Sequence, residues 1–183
     1  MKALKRLLGL GGGEPALGVL MVCSGNICRS PTAEGVLRAK LQAAGLGERI
    51  QVDSAGTQGL HAKEPPDPRA LAMASRRGYD LSKLRARRVV GEDFVRFQRI
   101  LAMDEGHLKW LRQASPPDAR TRVGLLMDHA LTQRGQREVP DPYFGSERDF
   151  ERVLDLVEDA CEGLVRDLAQ ELALLERKGG GKA

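Results

Sequence analysis

An apolar run, Val19-Leu20-Met21-Val22, ends at Cys23 and is followed by Ser24-Gly25-Asn26-Ile27-Cys28-Arg29-Ser30-Pro31. The run reads as a buried strand, and Pro31 suits the first helical position, where no backbone N–H is needed. Cys23 to Ser30 is therefore a strand-to-helix loop. In such a loop successive backbone N–H groups can turn into one hollow, and the positive end of the helix dipole points into the same space. The hollow is a cradle for an oxyanion. Arg29 adds a planar, permanently charged fork matched to two phosphate oxygens, and Cys23 lies at the floor, where a positive field favours thiolate over thiol. These types at this spacing specify attraction of an oxyanion followed by nucleophilic attack on it. Gly25 and Asn26 are expected to supply the positive or unusual φ values of a nest.

Expelling a phenolate or alkoxide from phosphorus also needs a proton donor. Asp141 is the candidate, because Pro142 biases it toward an extended backbone that projects its carboxyl from a loop; an Asp-Pro pair is equally a common turn signal. Ser30 has the type of a helix N-cap, Ser54 that of a loop hydroxyl, and Asp104 that of a cap for a helix starting near Glu105. Cys28 stands on the same tight turn as Cys23, close enough to pair with it or simply to fill space beneath the loop.

The loop Cys23-Ser24-Gly25-Asn26-Ile27-Cys28-Arg29-Ser30-Pro31 resembles the phosphate loop of the low-molecular-weight protein tyrosine phosphatase family. Asp53-Ser54-Ala55-Gly56-Thr57, Asp67-Pro68-Arg69-Ala70, Ala86-Arg87, Ala102-Met103-Asp104-Glu105 and Asp141-Pro142-Tyr143 extend the resemblance over roughly residues 16 to 172. It implies a nucleophile at Cys23 and a phosphate cradle of Ser24, Gly25, Asn26, Ile27, Cys28, Arg29 and Ser30. Asp141 is then the acid of the first half-reaction and the base of the second. It further implies that Ser30 donates to the Cys23 thiolate, that Asn26 shapes the loop with Ser54 as a partner, and that Asp104 stands behind the loop. Tyr143 would wall the cleft, and a reversible Cys23–Cys28 disulfide would protect the nucleophile. No metal or cofactor is implied, and the substrate is a phosphotyrosine protein or a small aryl phosphate.

Two positions depart from the family pattern. Leu60, before His61, stands where many members carry an aromatic residue, and Leu84 replaces a frequent histidine, so one cleft wall should be thinner and the loop support wired differently. Ile27 stands where arginine-phosphate hydrolases of this type carry threonine, which favours phosphotyrosine over phosphoarginine. Arsenate reduction would need two further thiols, and only Cys161 remains. A phosphate-binding module without catalysis is the reading from another class; it would need neither Cys23 nor Asp141.

The elements that must position these residues alternate. Apolar runs at Gly18–Val22, Ile50–Asp53, Ile100–Met103 and Val123–Met127 read as strands, with helix-like segments such as Pro31–Ala44 and Pro68–Arg77 between them. The expected fold is a single α/β domain with a four-stranded parallel twisted sheet and helices on both faces, the Cys23 loop lying at the carboxyl ends of the strands. A stripe of Phe150, Val153, Leu154, Val157, Cys161, Leu164, Leu168, Leu172 and Leu175 marks one face of a late helix.

With 183 residues, 42% hydrophobic content and a net charge of +4, the chain suits one full core. Residues 1–15 are expected as a basic, Gly-rich tail, 16–176 as the domain and 177–183 as a disordered tail. The N-terminal apolar run is too short and broken for a signal peptide or a membrane span. Three cysteines, one helical and two in the loop, make no disulfide framework and suit a reducing, cytoplasmic compartment. His61, His107 and His129 read as ordinary surface or loop histidines, and Arg76, Arg77, Lys83, Arg85, Arg87 and Arg88 as solvated surface. With 4% aromatic residues and no stacking motif the chain is not expected to bind nucleic acid. A monomer is favoured.

Overall fold

The computed structural model describes residues 15–179. Strand β1 (Leu17–Cys23) leads through the loop into helix α1 (Arg29–Ala43). Strand β2 (Ile50–Gly56), α2 (Pro68–Arg76) and the single turn α3 (Asp93–Arg96) follow. Then come β3 (Arg99–Ala102), α4 (Glu105–Ala114), β4 (Val123–Leu125) and the long α5 (Glu147–Gly179). The four strands form one parallel sheet in the order β2-β1-β3-β4. β1 is thus central, and Cys23 stands at its carboxyl end, in register with Gly56.

Alternation along β1 divides the core. Val19, Met21 and Cys23 face a layer that includes Leu37 and Leu41 of α1, Met73 of α2 and the α5 stripe, whereas Leu20 and Val22 face Phe94, Phe97, Leu108, Leu111 and Leu125. Helices therefore cover both faces, as expected of a parallel sheet whose central strand β1 is apolar and buried throughout. The floor of the Cys23 loop is gripped from two sides.

Several boundaries differ from the expectations. Helix α1 begins at Arg29 rather than Pro31, so Pro31 is its third residue, and the first helical bond runs from the Thr32 N–H to the Cys28 carbonyl (3.3 Å). Proline is tolerated there because the first-turn amides need no intrahelical partner. β2 continues to Gly56, so Ser54 is a buried strand residue and not a loop hydroxyl. β4 stops at Leu125, and Leu126–His129 coils into a 3₁₀ turn. Leu175, assigned to the buried stripe, is exposed: the core ends at Leu172, while α5 runs on as far as Gly179 and so includes residues 177–179 of the expected tail. Residues 1–14 and 180–183 lie outside the described residues.

Candidate active site

The loop from Cys23 to Ser30 owes its shape to backbone constraints at two neighbours. Asn26 adopts the left-handed conformation, at φ 58°, which asparagine accepts more readily than most residues. Gly25, expected to share that conformation, does not; a Cβ there would instead press on the His61 ring, so Gly25 is small because of close approach. Gly56 has the same reason, since a Cβ would run into the Ser24 carbonyl, the Gln58 carbonyl and the Asn26 amide. The carbonyls of Cys23 and Ser24 accept from the N–H groups of Thr57 and Gln58 (2.9 and 3.0 Å), and the Ile27 carbonyl accepts from Asp67 N–H (2.8 Å). Among the described residues the N–H groups of residues 24–30 have no such acceptor, which leaves them available to an anion.

Proton directions around Cys23 follow from one fixed donor. The backbone N–H of Arg87 can only donate, and it meets Asn26 Oδ1 at 2.9 Å; the Asn26 amide nitrogen therefore faces the two serines. Nδ2 donates to Ser30 Oγ (2.9 Å) and to Ser54 Oγ (2.8 Å). The Ser30 proton is thereby free to point at Cys23 Sγ, 3.0 Å away, and the Ser54 proton at Glu34 Oε2, 2.6 Å away. Ser30 is not the N-cap of α1: Cys28 holds that position, with no side-chain cap, and the serine hydroxyl lies inside the first turn, within reach of the sulfur and, at 3.4 Å, of the Ala55 carbonyl. Glu34, absent from the sequence-based site, closes the network. Burial pushes its carboxyl above the usual range, opposed by the Ser54 hydroxyl and by Arg38.

Arg29 opens α1 and is buried. Its Nη1 donates to Asp104 Oδ2 (2.7 Å) and to the Val139 carbonyl (3.3 Å), and its Nη2 to Asp141 Oδ2 (2.9 Å). Asp104 is also the N-cap of α4, accepting from the His107 N–H at 2.8 Å. Both roles considered for Asp104 are thus present in one carboxylate. His107 itself is a correction, being buried and not a surface histidine. Its Nε2 meets Ser24 Oγ at 2.8 Å, while Nδ1 lies 2.9 Å from Asp104 Oδ1 off the line of a good hydrogen bond. The i,i+3 spacing of Asp104 and His107 across a helix start is the one sequence signal that could have found it.

Burial opposes the charge on Asp104, but His107, through ring and backbone, and Arg29 together hold its carboxyl far below the usual range. A depressed carboxyl contributes stability that is present above the unfolded-state value, about 3.9, and is lost as pH falls toward the native value. Asp104→Asn is therefore expected to cost about 1–3 kcal/mol at pH 7. In urea unfolding the gap to wild type should shrink steadily below about pH 4. A gap independent of pH would contradict the ionised-carboxylate assignment.

Above the loop lies a pocket of ≈ 310 Å³ whose lining includes Cys23, Ser24, Ile27, Cys28 and Arg29 of the loop, Asp141, and the side chains of Leu60, His61, Tyr143 and Phe144. The structure thus gathers the candidate nucleophile, the arginine fork and the candidate acid around one space. Tyr143 and Phe144 meet edge to face, with ring centroids 4.9 Å apart. Leu60 is largely exposed opposite them, a thinner wall than an aromatic residue would make. Burial, with Asp67 adding to it, pushes the Cys28 thiol up to about 12. Cys161 is buried in the core, as its place on the stripe predicts. The basic stretch is less solvated than expected: Arg87 is paired with Asp53 and Asp93 (2.9 Å each) and Arg77 with Asp155 and Glu158 (2.7 and 2.9 Å), so opposite carboxylates hold part of it in place. Among the described residues no helix is long and apolar enough to cross a membrane.

The chain is similar over most of its length to several phosphatases. A low molecular weight protein-tyrosine-phosphatase of Streptomyces coelicolor is 41% identical over 157 residues, covering 84% of this chain and 94% of that protein. The human low molecular weight phosphotyrosine protein phosphatase is 36% identical over 147 residues, covering 80% and 92%. A crystal structure of a protein tyrosine phosphatase from Entamoeba histolytica, with Hepes in the active site, superposes with a TM-score of 0.82 at 39% identity, covering 85% of this chain and 98% of that one. The family model for low molecular weight phosphotyrosine protein phosphatase matches residues 18–174, a span that takes in the sheet, the Cys23 loop and Asp141. Fold, loop and likeness agree, and the chain belongs to the low molecular weight phosphotyrosine protein phosphatases, a family of hydrolases.

Proposed function

We propose that this chain hydrolyses phosphotyrosine, in proteins or as small aryl phosphates, through a phosphocysteine intermediate at Cys23. The supporting observation is the convergence of Cys23, Arg29 and Asp141 on one pocket with an apolar mouth. Arg29 and the loop amides hold the equatorial phosphoryl oxygens. Cys23, as thiolate, attacks phosphorus; the bond to the tyrosine oxygen breaks, and Asp141 delivers its proton to the departing phenolate. Asp141 then takes a proton from water, which attacks phosphorus; the sulfur–phosphorus bond breaks, and the thiolate returns to the hydrogen bond from Ser30. Leu60, Tyr143 and Phe144 offer apolar area to a phenyl ring, and Ile27 gives the floor no polar group for a guanidinium.

The same reading carries a reducing, cytoplasmic setting, since only free Cys23 can react. Peroxide converts Cys23 to a sulfenic acid; Cys28 then displaces hydroxide from that sulfur, forming a disulfide and water, and external thiol restores both thiols. The unreacted enzyme keeps Cys28 protonated, because burial holds its pKa near 12.

Phosphate release from matched phosphotyrosine and phosphoarginine peptides, in EDTA and thiol, tests the proposal. Phosphotyrosine should be turned over at least about tenfold faster, and activity lost to prolonged peroxide should return with thiol in wild type but not in Cys28→Ala, whose sulfenic acid is left to oxidise on to the irreversible sulfinic acid. Preference for phosphoarginine would overturn the substrate assignment. Full recovery of Cys28→Ala would overturn the protective role.

A further inference from the structure

We infer that Arg69 is the strut that positions the acid loop against the phosphate loop, an inference that rests on the reading of Asp141 as proton donor. The Asp67-Pro68-Arg69 segment lies outside the reacting groups, yet it touches both loops. Asp67, the N-cap of α2, donates its backbone N–H to the carbonyl of Ile27 in the phosphate loop (2.8 Å). Its nearly buried carboxylate receives a two-pronged bond from Arg69, Nε to Oδ1 at 3.0 Å and Nη2 to Oδ2 at 2.8 Å. The guanidinium lies over the ring of buried Phe150 on α5, 4.6 Å from its centroid. A carboxylate along one edge and a ring across one face fix the plane of the fork.

The fixed fork then donates to the loop that carries Asp141. Nη2 reaches the Tyr143 carbonyl at 2.9 Å and Nη1 the Gly145 carbonyl at 3.3 Å, and the guanidinium also stands 5.9 Å from the Tyr143 ring centroid. That loop needs an external hold. The Asp141 side chain is 52% exposed and, among the described residues, is ion-paired with Arg29 alone, and Phe144 is almost wholly in solvent. Through Asp67 and Arg69, therefore, the backbone of the loop that holds phosphate is tied to the backbone of the loop that protonates the leaving group. Lysine cannot replace this function, because it has no planar fork to serve a carboxylate and two carbonyls together.

A strut for the acid predicts a loss that depends on the leaving group. Nitrophenolate departs readily without a proton, whereas the phenolate of tyrosine does not. In Arg69→Met, which keeps an apolar stem over Phe150 and loses every donor, kcat/KM for phosphotyrosine should fall about tenfold while that for p-nitrophenyl phosphate falls less than about twofold. Arg69→Lys should show the same divergence, and it carries the comparison if the methionine variant does not fold. A purely structural arginine would lower the folded fraction and reduce both substrates in parallel. Parallel losses, or none, in variants of an active wild type would overturn the strut and leave the phosphatase reading intact. A wild type that releases phosphate from neither ester would overturn that reading first, and the strut with it.

Discussion

Cys23→Ser should lose at least about 10⁴-fold in kcat on phosphotyrosine while still binding inorganic phosphate. The substitution leaves Arg29, the loop amides and the Ser30 hydroxyl in place, so the cradle survives. What disappears is the nucleophile: a serine hydroxyl at this point has no adjacent base, since the group beside it is the neutral Ser30 hydroxyl, which is far too weak a base to take its proton. Steady-state turnover and phosphate titration by calorimetry separate the two effects. Turnover within tenfold of wild type would mean that another group attacks phosphorus. Loss of phosphate binding together with turnover would mean that the substitution had collapsed the loop.

The second large effect belongs to Asp141. Asp141→Asn keeps an oxygen acceptor for Arg29 Nη2 but has no proton to give, so kcat/KM for phenyl or alkyl phosphates should fall by about 10²–10⁴-fold. The fall for p-nitrophenyl phosphate should be much smaller. As the acid, Asp141 is protonated and neutral in the substrate complex, and asparagine matches it in charge and size, so KM should not rise. A plot of kcat/KM against leaving-group acidity is the direct readout, and it should be steeper for the variant than for wild type. Equal slopes would exclude Asp141 as the acid. Because the same carboxyl is assigned as base for water, kcat should also fall for every substrate whose turnover is limited by hydrolysis of the intermediate.

The Cys23 loop was legible because its constraints are local. A strand end, a left-handed asparagine, an arginine in the first helical turn and a proline that tolerates that turn all lie within nine residues. The parallel sheet was legible for the same reason, since each strand holds a short apolar stretch, although β2 extends through the polar Asp53-Ser54 pair, whose groups find partners there. What escaped was contributed by chain segments far apart in sequence. Glu34 looks like an ordinary helical glutamate until Ser54 is brought against it. His107 looks like a surface histidine until α4 packs its ring beneath Ser24. Gly25 was assigned the right size for the wrong reason, because the close approach of His61 is not written in the loop itself. Arg87 counted as one charge among many, whereas its backbone amide fixes which way the Asn26 side-chain amide faces.

The central claim is a covalent phosphoryl group on Cys23, and rapid acid quench of the turnover mixture followed by peptide mass spectrometry tests it most directly. With a p-nitrophenyl phosphate substrate, the peptide bearing Cys23 should gain the mass of one phosphoryl group, more so in Asp141→Asn, where hydrolysis of the intermediate is slowed. The gain should vanish in Cys23→Ser. Undiminished turnover with no phosphoryl group on Cys23, or with one on another residue, would contradict the account.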